Sequence, residues 1–84
     1  MTYSIRIKAS AAKSLQSVPR AQQVQIIDAI DRLSTEPLAG GVLKGEFSGL
    51  RRLRVGNYRI VYEVSHGELT ILVVRIGHRR DVYR

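Results

Sequence analysis

Cysteine and tryptophan are absent from this sequence, and proline, histidine and phenylalanine are scarce, with two, two and one in 84 residues. Without cysteine there is no disulfide, no thiolate nucleophile and no cysteine-held zinc. His66 and His78 alone are too few to hold a metal, so neither a metal nor a cofactor is expected. No run of eighteen apolar residues is present to span a bilayer, and the start Met1-Thr2-Tyr3-Ser4-Ile5-Arg6 lacks the apolar stretch of a signal peptide. A cytoplasmic protein with no membrane partner is the expectation. Acidic residues are also few, seven against fourteen basic ones, for a net charge of +7.

The length allows one modest core, so residues 1–84 are read as a single domain carrying one site. A charge this large on so small a chain calls for an anionic partner: RNA, DNA, an acidic protein or a membrane surface. An even scatter of charge would serve solubility alone. Instead, eight of the eleven arginines lie in residues 51–84, with three acids among them, giving that segment +5; residues 1–50 carry only +2.

Residues 3–8 alternate, with Tyr3, Ile5 and Ile7 on one side and Ser4, Arg6 and Lys8 on the other, which predicts a half-buried strand. Ser10 can cap a short helix in which Ala11, Ala12, Leu15 and Val18 share a face. Pro19 closes it and opens a second helix, where Gln23, Ile26, Ile30 and Leu33 form a stripe joined by Ile27 and Ala29. Glu36-Pro37 ends that helix, and the glycine-rich stretch 38–49 reads as a connecting loop. Segments 50–55, 58–64 and 69–76 then read as strands joined by Gly56-Asn57 and by Ser65-His66-Gly67-Glu68. The order β-α-α-β-β-β predicts an α+β domain with the N-terminal strand and helical hairpin packed on one face of an antiparallel sheet.

A two-residue turn at Gly56-Asn57 sets Val55 opposite Tyr58, Arg54 opposite Arg59, Leu53 opposite Ile60 and Arg52 opposite Val61. Leu53, Val55, Tyr58, Ile60 and Tyr62 then face the helices, and parity makes both tyrosines core residues. Arg52, Arg54 and Arg59 share the other face. Like charges directly opposite cost up to about 1 kcal/mol, so stability alone does not select this pair. The guanidiniums can splay into water or pair with Glu63 and Glu46; as a cluster, they suit the phosphate oxygens of a nucleic-acid backbone.

Three segments, Leu43-Lys44-Gly45, Arg52-Leu53-Arg54-Val55-Gly56-Asn57-Tyr58-Arg59-Ile60-Val61-Tyr62 and Gly77-His78-Arg79-Arg80-Asp81-Val82-Tyr83, together resemble the RelE branch of the RelE/ParE toxin superfamily. The likeness extends over essentially the whole chain and includes the element order. It implies a toxin of a type II toxin-antitoxin system: a ribosome-dependent, metal-independent endoribonuclease that cuts messenger RNA in the 30S decoding site, with the 2′-hydroxyl as nucleophile. Carried over by position, Arg52, Arg54, Arg59, Arg79 and Tyr83 are the catalytic candidates. His78 joins Tyr83 as a candidate for proton transfer, which arginine performs poorly at neutral pH. Lys44, Arg51, Arg80 and Arg84 are expected to bind RNA. A cognate antitoxin is the implied protein partner, in a toxin-antitoxin hetero-oligomer. The competing functions are a ParE-type inhibitor of DNA gyrase and an RNA-binding module without chemistry.

Overall fold

The computed structural model describes residues 2–45 and 49–78. Strand β1 (Ser4–Ile7) leads into helices α1 (Ala9–Gln16) and α2 (Arg20–Leu33). A two-residue strand β2 (Gly41–Val42) is followed by β3 (Arg51–Val55), β4 (Tyr58–Ser65) and β5 (Thr70–His78). The five strands form one sheet in the order β1-β5-β4-β3-β2. No helix among the described residues is long and apolar enough to cross a membrane.

The β3–β4 hairpin has the register expected from its turn, with Arg54 opposite Arg59 and Arg52 opposite Val61. Gly56 supplies the positive φ (60°) that a tight hairpin turn requires at its first central position. Other expectations need correcting. The edge strand β1 runs parallel to β5, so the sheet is mixed; two-residue alternation is the same in either pairing and cannot report direction. Ser10 lies inside α1, whose N-cap is Lys8, and no side chain caps that helix. The loop expected at 38–49 contains β2, a strand too short to leave a periodic signal. Leu69 belongs to the turn before β5, with a left-handed backbone at φ 53°.

Ile26, Ile30 and Leu33 from α2, Ala11 from α1 and Val18 from the link between the helices close over Ile60, Tyr62, Ile71, Val73 and Ile76 of the sheet. Gln23 ties the helices together, its Nε2 donating to the Leu15 carbonyl at 3.0 Å. Ile27, expected in this stripe, is 44% exposed, as is Val24 at 45%; the pair forms an apolar spot on the outer side of α2.

Tyr62 is wholly buried, and its hydroxyl donates to the Pro37 carbonyl while accepting the Gly40 N–H, both at 2.9 Å. Burial pushes its ionisation above the ordinary phenol value of 10.0, against the lowering effects of the Gly40 hydrogen bond and the Arg51 charge. A phenol whose folded pKa is raised contributes stability that is complete below about pH 10 and is lost as pH rises through the folded value. The melting temperature should therefore fall above about pH 10 more steeply in the wild type than in Tyr62→Phe, which starts lower because Gly40 loses its acceptor. Parallel pH-melting curves for the two proteins would refute a role for Tyr62 ionisation.

Candidate active site

The face of the sheet turned away from the helices is organised by cross-strand registers. Arg54, Arg59 and Gly77 form one row across β3, β4 and β5, and Arg52, Val61 and Arg75 form the next. Arg54 is exposed, Arg52 and Arg59 are half-buried, and the Nε of Arg59 is withdrawn from solvent. Val61 lies on this face, outside the core cluster, yet is only 1% exposed. The arginines thus stand around an apolar centre, where charge interactions are screened less than on an open surface. Gly77, opposite Arg59, contributes no side chain.

Arg75 was not foreseen as a member of this set. Strict alternation from Ile71 and Val73 turns residue 75 toward the helices. A bulge intervenes: Val61 pairs with Arg75 but Tyr62 pairs with Val73, leaving Val74 as the extra residue. The parity of β5 reverses there, moving Arg75 to the arginine face and Ile76 to the core. The signal that could have located it is the charge itself, an arginine where alternation from Ile71 and Val73 calls for a core residue.

The remaining candidates are not all on this face. Arg51 turns to the helix side, where its Nη1 donates to the Gly40 carbonyl at 2.8 Å beside Tyr62. His78 pairs with Tyr58 in the ladder, on the helix side, and their rings meet edge to face with centroids 5.8 Å apart. It is therefore across the sheet from Arg52, Arg54 and Arg59. Lys44 is exposed in the loop between β2 and β3. Arg79, Arg80, Tyr83 and Arg84 lie outside the described residues.

The β3 backbone at Arg52 is held closely. Gly41 pairs with Arg52, and a Cβ on Gly40 would stand 2.5 Å from the Arg52 carbonyl oxygen and 2.8 Å from the Tyr62 hydroxyl. Only glycine fits there. The Tyr62 and Arg51 hydrogen bonds thus lock the 37–41 segment against the strand that carries Arg52 and Arg54. Chemically, the face offers several permanently charged, planar donors suited to a phosphodiester.

Comparison with known proteins places the chain in a family. Residues 5–83 match the family model of the ParE toxin of type II toxin-antitoxin systems. The Toxin RelG of Mycobacterium tuberculosis is 33% identical over 86 residues, covering 100% of this chain and 99% of the relative. Among solved structures, the toxin-antitoxin complex RelBE2 of the same organism superposes with a TM-score of 0.86 at 30% identity, covering 94% of this chain and 100% of that one. The archaeal RelE-RelB complex of Pyrococcus horikoshii gives 0.80 at 32% identity, covering 98% and 100%. With the family model spanning nearly its whole length, the chain belongs to the RelE/ParE superfamily of toxins from type II toxin-antitoxin systems.

Proposed function

We propose that this toxin is an mRNA interferase that cleaves messages in the 30S decoding site of the ribosome. The observation that carries the reading is the direct cross-strand pairing of Arg54 with Arg59, with Arg52 and Arg75 in the adjoining row. A sheet that bears the repulsion of facing like charges is a site prepared for an anion. In the proposed reaction the 2′-oxygen attacks the adjacent phosphorus and the P–O5′ bond breaks, leaving a 2′,3′-cyclic phosphate and a 5′-hydroxyl. Negative charge grows on the non-bridging oxygens in the transition state. Arg59 and Arg79 stabilise it there more than in the ground state, while Arg52 and Arg54 hold the flanking phosphates. Tyr83 is the candidate for moving a proton from the 2′-hydroxyl toward the leaving oxygen. The ribosome contributes the alignment of the RNA strand.

The cognate antitoxin is the proposed protein partner, in keeping with the two complexes to which the chain is similar. The exposed Val24 and Ile27 on α2 are a suitable landing point for an amphipathic antitoxin segment.

The matching family model describes a ParE toxin, which favours inhibition of DNA gyrase as the second reading. In-vitro translation and gyrase supercoiling, each measured with the purified chain, separate the two. An interferase stops translation and leaves supercoiling intact; the reverse pattern would make the chain a gyrase poison.

Arg54→Thr puts a strand-favouring neutral residue opposite Arg59. It is expected to stabilise the fold by about 0.2–1 kcal/mol while weakening RNA cleavage. Melting and cleavage measured together check this; a loss of stability would mean that Arg54 serves the fold.

A further inference from the structure

Beyond the last β1–β5 pair, Ile7 with Val73, the chain turns away: the Lys8 N–H donates to the Val73 carbonyl at 2.9 Å and α1 begins. From Val74 to His78, β5 therefore has α1 beside it, and between them opens a cleft of about 510 Å³. This lies within the usual span of small-ligand sites, roughly 300–1,000 Å³. We infer that the cleft is a subsite for one nucleotide of the RNA strand, joined to the arginine face by Arg75. The inference rests on the interferase reading for the identity of the strand.

The lining combines what a nucleotide needs. Lys8, Arg75 and His78 supply cationic or donor groups for a phosphate, and the Tyr58 and His78 rings supply aromatic surface. Val18 and Ile76 make an apolar floor. The Ser14 hydroxyl already donates to the Ser10 carbonyl at 3.1 Å, so its oxygen remains an acceptor for an N–H at a base edge. An inorganic anion would use the donors and leave the floor and the acceptor without purpose.

Continuity with the arginine face comes from the bulge. Arg75 stands in register with Val61 and Arg52 on the face, and it also lines the cleft. Arg52 and Arg75 are two strand spacings apart, roughly 10 Å, a reach compatible with neighbouring phosphates of an extended strand. A strand gripped at Arg52 and Arg59 can thus pass Arg75 at the β5 edge and place its next nucleotide against α1. This gives His78 a role in holding substrate from its position across the sheet.

The test is an amide-resolved NMR titration of the full chain with AMP, GMP, CMP and UMP, and separately with inorganic phosphate and a hexaglutamate peptide. Nucleoside monophosphates should give saturable shifts at the Ser10, Ser14 and Gly77 amides. Ser14→Phe, a large side chain on an exposed helix position at the cleft wall, should weaken that binding by about tenfold or more, and Ser14→Ala, which loses the hydroxyl acceptor and blocks nothing, should weaken it by a smaller factor. Should Ser14→Phe fold poorly, Ser17→Phe fills the same cleft. Any of four results would overturn the subsite: equal shifts from phosphate, shifts confined to Arg52, Arg54 and Arg59, preferred occupation by hexaglutamate, or unchanged nucleotide binding in the filled variants. Nucleotide binding by a chain that cuts no message would remove the interferase reading and leave the subsite. Message cleavage with an empty cleft would do the opposite.

Discussion

Arg59→Ala is expected to lower ribosome-dependent cleavage of a programmed message by about 10²–10³-fold, the effect of removing one preorganised donor from a developing oxyanion. Arg59 is the most enclosed of the facing pair, half-buried with its Nε withdrawn from solvent, while Arg54 opposite it is exposed. A partly desolvated guanidinium acts in a weaker dielectric than a surface one and needs little reorganisation when the phosphate charge rises. Arg59→Lys keeps the charge and loses the planar fork, so an intermediate loss should follow. Removing Arg59 also removes a like-charge contact, which offsets part of the packing lost. Single-turnover cleavage by variants checked by circular dichroism measures this. A loss smaller than about threefold in a folded Arg59→Ala protein would remove Arg59 from the transition state.

Gly40→Ala is expected to destabilise the fold by about 1–3 kcal/mol, the usual cost of overpacking. For a chain of this size that is a drop in melting temperature of roughly 5–20 °C. Its methyl group would meet the Arg52 carbonyl at 2.5 Å and the Tyr62 hydroxyl at 2.8 Å. Backbone on one side and a doubly hydrogen-bonded hydroxyl on the other cannot yield without breaking the Pro37 or Gly40 contacts. The damage should extend to the site, because the strand displaced is the one carrying Arg52. Thermal melting reads the first effect, and cleavage at a temperature where the variant remains folded reads the second. An Ala variant as stable as wild type would show that the 37–41 segment is not held as described.

The hairpin and its arginine pair were legible from residue order, since Gly56-Asn57 fixes the turn and the turn fixes the register of Arg52, Arg54 and Arg59. The helical faces were legible from spacing, apart from Ile27: it lies about 100° round the helix from Ile26, at the margin of the stripe, and the seating of the helix on the sheet leaves it outside. Less visible was everything that depends on tertiary contact. Arg51 looked like another RNA-binding arginine beside Arg52, but one step along a strand reverses the face and takes it to the Gly40 carbonyl. His78 and Tyr58 were separated by nineteen intervening residues and were brought together by the β4–β5 ladder. Arg75 required the bulge at Val74, whose trace in the sequence is a charged residue where alternation from Ile71 and Val73 calls for an apolar one.

The interferase mechanism is tested most directly by primer extension on a defined message, with the purified wild-type chain in the presence and absence of programmed ribosomes and with Arg79→Ala and Tyr83→Ala alongside. Cuts within the codon in the decoding site, present only with ribosomes and lost in both variants, are the predicted result. An intact message under all conditions, with translation undiminished, would contradict it.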